Sequence, residues 1–221
     1  MRPALLALLV CLASAIAQTP EDRFRKGVSL FFDARIKEAL AEWDAQVAAD
    51  PATLPYHWQR GIALYYANRF ADGRAQFESH QKVNSEDVEN AVWHYLCVAR
   101  LESRAAARKA LLPTTKDPRI PMKEVHALFA GSGTPEAVTA AATKAGGEAK
   151  AYADLYLGLH AEANGDPDTA RRHLTAAAAA LPKESYMGEV ARVHCRLRKW
   201  ESTPATPPAA PAKPSPPAIP R

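Results

Sequence analysis

The sequence predicts an all-α fold built from helix pairs that repeat along the chain. Three observations carry this expectation. The chain is rich in alanine and only 8% aromatic, with 48% hydrophobic residues, a balance that favours helix over sheet. One spacing rule recurs at three places. Glycine, asparagine and proline fall where such helices should stop.

The spacing rule is read from glycine. Gly27 is followed by Ala39 at 12 residues, Trp43 at 16 and Pro51 at 24. Gly61 is followed by Gly73, Phe77 and Ser85 at the same distances, and Gly158 by Ala170, Leu174 and Pro182. The first two glycines are 34 residues apart. Glycine inside a helix costs stability, so a second helix is expected to approach it closely, with Ala39, Gly73 and Ala170 as the small partners. Trp43, Phe77 and Leu174 are expected to plug the gap towards the next pair. This ruler resembles the tetratricopeptide repeat, in which a small residue on each of two helices allows tight packing and a large one follows. The resemblance implies a tetratricopeptide-type helical-hairpin solenoid with a C-terminal capping helix.

The elements follow in order. Residues 1–17 read as a signal peptide: Arg2 supplies a positive start, an apolar run follows, and Ala15-Ile16-Ala17 is a small-x-small cleavage signature. Cleavage near Ala17 would leave an exported chain, periplasmic or extracellular, and takes the formal net charge from +4 to +3. The residues before Cys11 lack the small side chains that a lipid-attachment site needs, so no lipid anchor is expected. The apolar run is too short for a stable membrane span. The repeat domain is expected over 18–201, with units at about 20–53, 54–87, a degenerate 88–121, and 151–184, and a cap helix over 185–200. In the degenerate unit the ruler places Tyr95 where glycine stood, then Ala107 and Leu111, and Pro113 cuts the second helix short. "TTKDPRIP" reads as a loop. "MKEVHALFAGSG" and "TPEAVTAAATKAGG" read as single helices, the latter with Thr134 as N-cap and Pro135 at its first position. Asn164-Gly165 reads as a helix stop, and Asp166 as the next N-cap. Met187, Val190, Val193 and Leu197 recur at three- and four-residue steps in the closing helix. Residues 202–221 form a Pro-rich tail with eight prolines between Thr203 and Arg221, a composition that reads as disordered.

A narrower resemblance rests on three stretches in order: "WQRGIALYYANR", "AVWHYLCVAR" and "YADLYLGLHAEANGDPDTARRHL". Together they are similar to bacterial periplasmic tetratricopeptide proteins of the new lipoprotein I family. That resemblance implies an all-helical adaptor that docks envelope proteases or cell-wall enzymes to one another.

The usual catalytic signatures are missing: no H-E-x-x-H, no phosphate-binding G-x-x-x-x-G-K, no G-x-S-x-G and no EF-hand loop. Gly-Ser-Gly in "AGSGTP" follows no strand and reads as a helix stop. The seven histidines are scattered, none at i, i+4 from another, and are read as surface or edge residues, so no metal and no cofactor are expected. Glu86, Asp87 and Glu89 read as a helix N-terminus favoured by the dipole. Basic residues are dispersed, which gives no nucleic-acid footprint. Cys97 and Cys195 could form a disulfide in an exported protein or pack as two buried thiols.

What remains is binding. In such solenoids the first helices of each pair line a concave groove. There Trp58, Ile62, Tyr65 and Tyr66, with Phe24, Val28 and Phe32 one unit earlier, form an aromatic peptide-binding face with Arg60 and Arg69 nearby. The expected function is a non-catalytic adaptor that holds an unidentified protein partner in this groove; the alternative is an envelope assembly factor acting by self-association.

Overall fold

In the computed structural model the described residues are 19–114 and 116–200, and they form eleven α-helices and one 3-10 turn with no strand among them. The expected leader (1–17) and Pro-rich tail (202–221) lie outside the described residues.

Helices α1 (Pro20–Phe32) and α2 (Ile36–Ala49) make the first pair. Thr19 caps α1 through a capping box with Asp22. A 3-10 turn over Pro51–Tyr56, not anticipated from sequence, leads into α3 (Trp58–Tyr66) and α4 (Phe70–His80). The turn is held down by Gln76, which donates to the Leu54 carbonyl at 2.7 Å. Next come α5 (Val88–Leu101), the short α6 (Arg104–Lys109), α7 (Met122–Ala130) and α8 (Pro135–Ala145). The last three are α9 (Ala149–Ala163), α10 (Pro167–Ala180) and α11 (Tyr186–Leu197). The punctuation acts as expected. Thr134 accepts from the Ala137 amide, Asp166 from the Thr169 amide, and Gly131 and Gly165 stop helices at φ of 82°.

Neighbouring helices pack in pairs, α1 on α2, α3 on α4 and α9 on α10. Within each pair the glycine meets the large residue 16 positions on, not only the small one at 12. A Cβ built on Gly27 would lie 2.3 Å from the Trp43 ring, one on Gly61 2.6 Å from Phe77, and one on Gly158 2.5 Å from Leu174. Trp43, Phe77 and Leu174 therefore seat on the glycine of their own pair, a closer role than the inter-pair plug expected of them. The indole of Trp43 also donates to the Phe24 carbonyl at 3.2 Å. Gly73 faces Gly61 and Leu64 of its own pair, as expected, and acts between pairs as well. A Cβ there would lie 2.8 Å from the Cys97 sulfur, so the missing side chain lets α5 close on α4. Cys97 and Cys195 are both buried thiols, not joined to each other. Burial pushes the Cys97 thiol far above its ordinary range, which leaves it a packing group.

Tyr95 shows what happens without the glycine. Its ring is fully buried. Helix α6 packs on α5 but is only six residues long, and α7 packs there as well, with Phe129 edge-on to Tyr95 at 5.1 Å.

The described chain does not end as an open stack. Helix α11 packs on α10 and also reaches α1 at the other end, where Arg196 donates to the Phe32 carbonyl at 2.6 Å.

Gly158→Ala tests the seating. Helix propensity alone would favour alanine by up to about 1 kcal/mol. Besides the Leu174 side chain, however, the backbone Leu174 N and Ala170 O stand 3.1 and 3.2 Å from the new Cβ. The expected result in urea denaturation is a net loss of about 1–3 kcal/mol.

Candidate functional site

The residues expected to line a groove do share one side of α1 and α3, but helix α11 lies across much of it. Tyr186, at the start of α11, is the centre of the contact. Its ring stacks on Phe31 at 5.9 Å with 8° between planes. Phe32 tilts against it at 5.2 Å, and Trp58 meets it edge-on at 4.8 Å. Further along, the Tyr66 ring contacts Phe31, Trp93 and His194.

The other expected residues divide. Ile62 and Tyr65 are buried in the core, and burial pushes the Tyr65 hydroxyl up to about 12. Phe24 is half-buried, its ring 5.5 Å from His57, and Val28 packs against the core beside it. Arg60 and Arg69 both bind Asp44, at 2.7 and 2.9 Å, and so clasp α2 to α3 and to the start of α4.

Four of the seven histidines depart from the surface or edge placement expected of them. His57, His80, His94 and His194 are buried. The first three each have a polar neighbour that makes burial tolerable: Gln46 for His57 at 2.9 Å, the Pro55 carbonyl for His80 at 2.7 Å, and Glu78 for His94 at 3.4 Å. Burial, reinforced by Arg60, holds His57 down at about 4, which keeps it neutral near pH 7.

His194 joins a polar chain. Burial and the neighbouring Tyr65 raise the Tyr66 hydroxyl well above its ordinary value, and it lies 3.0 Å from His194 Nδ1. The other ring nitrogen, Nε2, stands 3.4 Å from Glu162 Oε2. Arg198 donates to the other Glu162 oxygen at 2.5 Å. Burial pushes the Glu162 carboxyl up, but His194 and Arg198 outweigh it and hold the group at about 2. His194 is wholly buried, and the polar chain fastens α11 to α3 and α9. Nothing in the spacing of Tyr66, Glu162 and His194 foretold their meeting.

One cleft lies beside the start of α11. It has a volume of about 140 Å³ and is lined by Trp58, Ile62, Phe77, Trp93 and Met187 together with Asp87, Glu89 and Asn90. Asp87 caps α5 through the Glu89 amide, as its helix-start position implied. The loop after α6 completes the polar side: Arg119 binds Asp87 at 2.6 Å, Glu89 at 2.7 Å and Asp117 at 2.6 Å. The Tyr156 hydroxyl donates to the second Glu89 oxygen. Among the described residues no cluster of three His, Cys, Asp or Glu side chains is arranged to hold a metal ion. No helix among them is long and apolar enough to cross a membrane. No model of a known protein family matches the chain, and none of the curated proteins matches it.

The Glu162 clasp sets a pH dependence. The carboxyl is lowered from 4.5 to about 2, so its stabilisation is complete above pH 4.5 and is lost as pH falls from there through about 2. Wild type should lose up to ~3 kcal/mol across that window relative to Glu162→Gln, measured by urea denaturation at each pH.

Proposed function

We propose that the chain is a non-catalytic adaptor of tetratricopeptide type that binds a segment of a protein partner on its inner helical face. The observation that carries this reading is the cleft beside α11: an aromatic, partly open wall on a scaffold of helix pairs, with polar groups at one edge. Helix α11 itself illustrates how the face takes an aromatic side chain, with Tyr186 held between Phe31, Phe32 and Trp58. The working surface is thereby narrowed from the whole row of aromatics to the part near Trp58 and Trp93. In this reading the protein acts outside the cytoplasm after removal of the leader, and its partners belong to the cell envelope, such as proteases or cell-wall enzymes.

Affinity capture from envelope extract tests the proposal, with wild type compared with Trp58→Ala and with the outer-face control Arg171→Ala. All three should stay helical by circular dichroism. A partner recovered by wild type and the control, and reduced about tenfold or more with Trp58→Ala, is the expected outcome for loss of an interfacial tryptophan. Equal recovery by all three would remove the inner face from consideration.

A further inference from the structure

The cleft has a chemical character of its own. At about 140 Å³ it is well below the roughly 300–1,000 Å³ of sites for drug-sized ligands, and has room for a single side chain. Its apolar walls include two indoles, Trp58 and Trp93, and the ring of Phe77. Aromatic faces attract cations. Its polar groups are mainly acceptors. Asp87 and Glu89 keep 18% and 17% of their side chains exposed. Asn90, only 3% exposed, donates through Nδ2 to the Phe77 carbonyl and to Gln81, while its Oδ1 has no partner. The Trp93 Nε1 is the unpartnered donor on the same lining. The cation already nearby does not balance the acids: Arg119 alone serves Asp87, Glu89 and Asp117, which leaves two negative charges when all are ionised.

We propose that this cleft receives the basic side chain, lysine or arginine, of an extended segment of the partner protein. The proposal rests on the adaptor reading and gives it a partner chemistry. The alkyl stem of such a residue lies against Trp58, Ile62 and Met187 while its charged head reaches Asp87, Glu89 and the free Asn90 oxygen. An acidic segment would meet the field of the carboxylates, and a neutral one would leave them unmatched. Burial raises the Glu89 carboxyl, so an added cation also relieves a carboxylate held in a poorly solvated place.

The test uses the purified chain and follows the indole N–H signals of Trp58 and Trp93 by NMR. The probes are a short alanine-based peptide with one central lysine, the same peptide with norleucine, an arginine and citrulline pair, and n-butylammonium chloride. The lysine and arginine peptides should shift both indoles saturably, at concentrations about tenfold lower than their neutral counterparts. Their binding should weaken severalfold between about 0.05 and about 0.5 M NaCl. An Asp87→Asn/Glu89→Gln variant that remains helical should lose the preference for charge; the salt series decides the matter if that variant does not fold. Neutral peptides that bind as well as charged ones would overturn the basic side chain and leave the adaptor reading standing. Butylammonium binding as tightly as the lysine peptide would make this a site for free organic cations and overturn the segment. No shift with any probe would remove both readings from the cleft.

Discussion

The distance between the two helices of a pair is the constraint on which the rest of this structure depends. It is set by a glycine on the first helix that admits a large side chain from the second. At Gly27, Gly61 and Gly158 the seated group stands where a Cβ would need to be. The helix loses propensity at each glycine, and the burial of Trp43, Phe77 or Leu174 more than offsets that loss. Pairs built to one distance can then stack by one rule. Gly73 extends the same logic between pairs, since its bare backbone accepts the Cys97 sulfur of the next helix.

The middle of the chain is irregular for the same reason. With Tyr95 in the glycine position, the chain supplies a short α6, a loop and α7. The far part of the loop is tied back by charge. Asp117 accepts from the Val88 amide at 3.1 Å, and Arg119 gathers the carboxylates at the start of α5. The irregularity thus brings polar groups to the edge of an aromatic face. In a perfectly regular stack these acids would have been a solvated helix end.

Helix α11 changes what the inner face can be. A capping helix needs only to cover the last pair. This one also crosses to α1, so it covers Phe31 and Phe32, engages Trp58 and Tyr66 and leaves a cleft the size of one side chain. The Tyr66–His194–Glu162–Arg198 chain makes that crossing specific, because each buried polar group in it depends on the next. A broad aromatic groove would favour any sticky segment. In the proposed reading, a small aromatic cleft with carboxylates at its edge discriminates by charge.

The sequence by itself determined the helical class, the pairing of helices around Gly27, Gly61 and Gly158, and most helix ends. These depend on local matters: spacing along one chain, the conformational reach of glycine and proline, and caps within a few residues. It also marked Trp58 and Tyr66 as the face to examine. Only the tertiary structure decided what lies over that face. Tyr186 reaching Phe31, His194 reaching Tyr66 and Arg119 reaching Asp87 join positions 32 to 155 residues apart. Such contacts are fixed by how all the helices pack together, which no local pattern contains. Burial of four histidines escaped the sequence for the same reason, since their partners come from other helices or from the 3-10 turn.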